Sequence, residues 1–152
     1  MARKFFNIGA IMIISLFGAQ AFAAGSDDYA QTSAKPAAYN KALVLIKGKN
    51  YDKAIVKLKE AEAAAKKDAD IQNLLGFAHR KSGKLDEAAK YYKSALALDP
   101  KHKGALEYQG ELFLMRGDKV SAEKNLQKLD KICWLGCSEL DDLRTAIRNY
   151  KP

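Results

Sequence analysis

Two cysteines four positions apart are the residues in this chain whose type and spacing most directly offer chemistry. They lie in Cys133-Trp134-Leu135-Gly136-Cys137, and the sequence holds no other cysteine. Such a pair can form a structural bridge, cycle between thiol and disulfide, or ligate a soft metal such as copper. Copper handling wants a further His or Met ligand, and the two histidines, His79 and His102, lie elsewhere in the chain. No C-x-x-C-H haem attachment motif occurs. Gly136 breaks any helix between the thiols, so they need not be strained along one. A structural bridge and a redox or copper-handling pair both stand at this point.

Beyond the thiols, little in the sequence resembles a reaction centre. No candidate nucleophile has a base beside it, no glycine-rich phosphate loop occurs, and no carboxylates pair in an apolar setting. The expectation is a chain that is not an enzyme and carries no cofactor or metal. His79 falls on an apolar helical face and reads as a packing residue, while His102 follows Pro100 in a turn and reads as solvated. The net charge is +8. Its lysines are scattered over turns and outward helix faces among Glu60, Glu62 and Asp86, which is the pattern of a solvated surface. Weak attraction to acidic partners or anionic lipid is the alternative. No aromatic and basic residues interleave as a nucleic-acid surface would require.

The elements that must position these residues divide into a leader and a helical body. Arg3 and Lys4 precede an apolar run, Ile8 to Phe17, and Ala21-Phe22-Ala23 supplies small residues at a cleavage point. That is the pattern of a secretory signal peptide over residues 1–23. The run falls short of the roughly 20 apolar residues of a membrane span, so no stable anchor is expected after cleavage. Residues 24–35 read as a flexible leader. An exported chain sits where two nearby cysteines usually pair.

The body carries a period. Ala54, Ala88 and Ala122 are 34 residues apart, as are Leu58, Tyr92 and Leu126, and Ala61, Ala95 and Leu129. Ala42, Gly76 and Gly110 keep the step, as do Leu45, His79 and Phe113. Small residues let helices approach and large ones fill the space alongside. In the central copy, Leu75, Ala78 and His79 share one helical face and Ala88, Tyr92 and Ala95 another. Gly83 can end the first helix with positive φ, and Pro100 stops the second. Seven helices are expected: Pro36–Lys47, Tyr51–Lys66, Asp70–Lys81, Leu85–Leu98, Gly104–Arg116, Val120–Cys133 and Glu139–Tyr150. Asn50, Asp118 and Ser138 are the expected N-caps.

At these residues the chain resembles the tetratricopeptide repeat family, whose pattern is W-x2-L-G-x2-Y, A-x3-F, then P. Leu75-Gly76, Ala88-x3-Tyr92, Ala95 and Pro100 carry the match. Gln72 stands for the Trp and His79 for the Tyr, and Lys41 and Gln109 break the Leu position in the outer copies. With the leader, this reads as an exported bacterial-type member, periplasmic or secreted. The resemblance implies an all-α, right-handed α-solenoid of three helix-turn-helix units, at 36–68, 69–102 and 103–136, with a C-terminal capping helix over 137–152. Ala54, Leu75, Gly76, His79, Ala88, Tyr92, Ala95, Gly110 and Ala122 would pack the repeats.

In the family the first helix of each repeat lines a concave groove that grips a peptide or a partner's helix. Here that would present Tyr39, Leu43 and Ile46, then Asn73, Phe77 and Arg80, then Glu107, Tyr108, Glu111 and Leu114. Members that clamp acidic chaperone tails carry Lys, Asn and Arg where this chain has Tyr39, Leu43, Leu74, Gly104 and Tyr108. That clamp is absent, and an apolar or amphipathic segment suits the groove better. The implied role is a non-catalytic scaffold or adaptor binding another protein or peptide, with self-association as a variant. A thiol redox or copper-handling accessory built on Cys133 and Cys137 is the alternative.

Overall fold

The computed structural model describes residues 35–151; the expected signal peptide and most of the expected leader lie outside the described residues. Seven helices follow: α1 (Ala37–Lys47), α2 (Tyr51–Ala64), α3 (Ala69–Lys81), α4 (Leu85–Leu98), α5 (Lys103–Met115), α6 (Lys119–Ile132) and α7 (Ser138–Asn149). Consecutive helices pack on one another throughout, and in addition α3 packs on α5 and α5 on α7. The result is an all-α solenoid. Its hairpins are α1–α2, α3–α4 and α5–α6, and α7 closes the end of the third. The helices α3, α5 and α7 form one layer.

Local chemistry sets the turns. Gly83 and Gly117 take φ of 77° and 79° between the two helices of their hairpins. The same place in the first hairpin belongs to Lys49, at φ 57°, where a side chain is strained. Caps differ in part from expectation. Asp118 accepts from Ser121 N as expected. Asn50 instead spends its amide on the Gly48 carbonyl, and Ser138 is already helical, with Cys137 preceding it. Asp68 accepts from Asp70 N and Ile71 N to cap α3. His102 is not a solvated turn residue: its Nδ1 accepts from Ala105 N and its Nε2 lies 3.0 Å from Asp70 Oδ1. It caps α5 and ties repeat three to the start of repeat two.

The core runs along the solenoid rather than at one centre. Ala42, Leu58, Ala61, Ile71, Leu75 and Ala78 fill its first part, and Ala88, Tyr92 and Leu112 the middle. Leu106, Leu129, Cys133, Leu140 and Leu143 fill the last. In an array each unit buries its apolar face against a neighbour, so the terminal face needs a cover. Leu140 and Leu143 of α7 supply it.

Candidate functional site

The 34-residue columns meet at the helix crossings. Ala54, Leu75, Ala88, Tyr92, Ala95 and Ala122 are buried, as are Gly76 and Gly110. At Gly76 an added Cβ would lie 2.6 Å from the Tyr92 ring, and at Gly110 2.6 Å from Leu143 Cδ1. The two glycines thus receive different knobs, one from the same hairpin and one from α7. Gln72, at the family's Trp position, is buried and donates to Glu62 Oε1 at 2.8 Å. His79 is buried and stacks on Tyr91 at 5.1 Å, and among the described residues neither ring nitrogen has a hydrogen-bond partner. Desolvation, then the nearby Lys84, pushes its pKa below the ordinary value, so the ring packs as neutral imidazole.

Two first helices, α3 and α5, carry an aromatic pair that Tyr51 joins from the start of α2. Phe77 and Tyr108 lie 4.9 Å apart between centroids, and Tyr51 meets Phe77 edge-on at 6.2 Å. The Arg80 guanidinium lies 5.7 Å from the Phe77 centroid and 5.5 Å from that of Tyr108. Its Nη2 pairs with Glu111 at 2.5 Å and its Nε donates to the Tyr92 hydroxyl at 3.3 Å. Both rings and the cation are held in place before any partner arrives. On α1, Leu43 is exposed and Tyr39 and Ile46 are half-buried.

Not all the residues expected on an open groove are open. Asn73, Arg80, Glu107 and Leu114 are buried. The reason is geometric: α3, α5 and α7 lie side by side, so positions beside each seam are covered by the next inner helix. Only Tyr39, Leu43, Ile46, Phe77, Tyr108 and Glu111 keep substantial exposure. Glu107 is the most perturbed acid. Burial, then the charges of Glu111, Asp142 and Glu139, push its carboxyl up to about 8. Burial and then Glu107 also raise the Tyr108 phenol. Glu139 and Asp142 escaped sequence reasoning because the repeat was stopped before α7. Carrying the 34-residue step onward from Ala105 and Tyr108 reaches Glu139 and Asp142 and finds both.

The cysteine sulfurs lie at disulfide distance, 2.10 Å, across the loop between α6 and α7. Cys133 joins the core under α7, while Trp134 and Leu135 are each 80% exposed at the loop tip. Among the described residues no three His, Cys, Asp or Glu side chains come together as a metal site would require.

The family model described as tetratricopeptide repeat matches residues 69–102, the α3–α4 hairpin with its closing turn. That segment is a tetratricopeptide repeat. The chain is also similar to two solved structures of MamA. The first is a double mutant at 28% identity and TM-score 0.59, aligned over 62% of this chain and 53% of that one. The second, from Desulfovibrio magneticus RS-1, has 27% identity and TM-score 0.63, over 71% of this chain and 61% of that one. This chain therefore spans about half the length of the first MamA structure. In fold alone it is similar to the first repeat domain of Spaghetti (RPAP3) bound to the HSP90 peptide SRMEEVD, at 17% identity and TM-score 0.65 over 73% of this chain and 88% of that one. No curated protein matches the sequence significantly. The departures from the repeat's pattern, Gln72 and His79, are both absorbed by neighbours, Glu62 and Tyr91.

Proposed function

We propose that the chain is a non-catalytic interaction module that binds a peptide or helix of another protein along the inner helices of its repeats. The observation that carries this is the pair Phe77 and Tyr108 on α3 and α5, with the buried Arg80, itself paired to the half-buried Glu111, lying against both rings. Rigid, partly exposed aromatics lose little entropy on binding, which is why they anchor interfaces. The Spaghetti domain, similar in fold, is seen with a peptide bound, which supports a peptide-sized partner.

The module acts outside the cytoplasm after removal of residues 1–23, and the Cys133–Cys137 bridge serves structure. The apolar run of the leader and the disulfide distance between the Cys133 and Cys137 sulfurs support that reading. Intact mass of the exported protein then begins at or near Ala24, and a mature chain that retains Met1 overturns it. A thiol titration of native protein finds none free.

The binding test is selection from a displayed library of short random peptides on the whole chain. Enriched peptides should lose binding to Leu43→Glu and Phe77→Ala and keep it to Val56→Glu. Val56 is exposed on α2, away from the aromatic pair. Equal loss at Val56, or none at Leu43 and Phe77, places binding elsewhere and overturns the groove.

A further inference from the structure

Trp134 and Leu135 crown the cysteine loop. Each is 80% exposed, and they are the most exposed large apolar side chains among the described residues. Single exposed apolar side chains are ordinary on a protein surface, but these two are adjacent at the apex of a cross-linked loop. The Cys133–Cys137 disulfide ties the ends of the loop together, and Cys133 is anchored in the core under α7. A tip so restrained loses little conformational freedom when something covers it.

The tip belongs to a longer edge. In an array of hairpins, the loops that join one hairpin to the next fall on the same side. Here those loops are 65–68, 99–102 and 133–137. Lys66 of the first shares a cleft with Leu98 at the end of α4. Lys101 and Lys103, at the second, share another with Asp70 of α3 and Glu139 of α7. Lys66, Lys67, Lys101, Lys103 and Lys131 are exposed along this edge. Among the described residues none of the five forms an ion pair. The acids beside them are largely engaged. Asp68 and Asp70 hold Lys35, Asp99 accepts from Lys101 N, and Glu139 is half-buried. Leu98, 42% exposed, adds a third apolar side chain.

We propose that this edge rests on an anionic lipid surface, with Trp134 and Leu135 inserted at headgroup level and the lysines over the acidic headgroups. The lysines are spread over the loops of successive repeats, which suits an extended plane of negative charge better than a single pocket in a protein. A convex tip needs a surface that yields, and tryptophan favours the boundary between headgroups and acyl chains. The contact is peripheral, since no helix among the described residues is long and apolar enough to cross a membrane. It is independent of the groove reading, because Phe77 and Tyr108 lie more than a turn along α3 and α5 from this edge.

Trp134 is the lone tryptophan, so its fluorescence reports this tip and no other part of the chain. The whole chain is mixed with vesicles of phosphatidylcholine, alone or with phosphatidylglycerol added. The expected result is a blue shift of Trp134 emission, with quenching by bromine-labelled acyl chains, only when phosphatidylglycerol is present. High salt should reverse it. Vesicle sedimentation then compares variants at exposed positions, with circular dichroism to check that each is folded. Lys101→Glu with Lys103→Glu should weaken partition by about tenfold or more. Leu135→Ser should weaken it several-fold and reduce the Trp134 shift. Lys47→Glu with Lys49→Glu makes the same change in net charge at the turn inside the first hairpin, on the opposite edge, where both lysines are exposed. That variant should partition like the native chain. Equal loss for the two lysine pairs means attraction by net charge alone and overturns the inference. So does sedimentation with no change at Trp134, the result for a chain held only by residues 1–23. Binding to neither vesicle overturns it as well. Protection of Trp134 by an acidic library peptide but not by vesicles overturns the lipid and gives the edge to a protein partner.

Discussion

Single residues show how narrowly this fold is specified. Lys49 occupies the left-handed turn position that Gly83 and Gly117 hold in the later hairpins. A side chain there costs about 1–2 kcal/mol, partly offset by the greater flexibility of glycine when unfolded. Lys49→Gly should therefore raise the thermal midpoint, by roughly 0.5–1 kcal/mol of added stability; a lowered midpoint would show that the lysine makes a compensating contact. Glu107 makes a second prediction. Its folded pKa, about 8, lies above the ordinary carboxylate range. The folded state therefore holds this proton more tightly than the unfolded state. The associated stability is fully present below the ordinary carboxylate range and is lost as pH rises towards 8. Chemical denaturation between pH 5 and 8 should show the native chain weakening with pH and Glu107→Gln weakening less. Parallel curves for the two proteins would mean that Glu107 is ionised in the fold throughout.

At the scale of helices, stability depends on small residues at crossings. Ala88 is fully buried and clusters with Tyr92 and with Leu112 of the next hairpin. Ala88→Leu adds volume with nowhere to go and should cost about 1–3 kcal/mol. The loss should appear as a lower midpoint with the helical content otherwise intact, and an unchanged melt would refute this packing. The seam between α3 and α5 is also pinned electrostatically. Arg80 is 5% exposed and its counter-ion Glu111 is 28% exposed. Glu111→Ala leaves a buried guanidinium without its partner and should cost on the order of 3 kcal/mol. If Glu111→Ala melts with the native protein, the pair contributes only to positioning the rings.

The whole molecule is an array in which each unit leans on the next, so the end is its weakest place. There α7 is held by Leu140 and Leu143 and by the cysteine loop. Replacing both cysteines by serine should cost about 2 kcal/mol, by extrapolating the chain-entropy model to a short loop. Hydrogen exchange should show α7 loosening first while α1 to α4 keep their protection. The lone tryptophan, exposed at the loop tip, gives a convenient local readout by its quenching. Protection of α7 unchanged in the double serine variant, with partner binding abolished, would favour a redox or copper role for the pair.

Much of the architecture could be read from residue order because a repeat states its rule three times. The 34-residue columns, with Gly83 and Gly117 at the turns, place six helices to within two or three residues. The amphipathic stripe Leu140, Leu143, Ile147 places the seventh. Those signals are local: helical period, turn glycine, closing proline. The inner face obeyed a different rule. Whether Asn73, Arg80 and Glu107 lie open or covered depends on how closely neighbouring inner helices approach, which small residues such as Gly104 and Gly110 permit but do not announce. His102 looked solvated because its partner, Asp70, is one full repeat away in sequence. The acids that raise Glu107 come from both α5 and α7, across a boundary where the repeat's consensus ends. Burial, ion pairing and the shift at Glu107 are sums over neighbours from separate repeats, and only the packed solenoid brings those neighbours together.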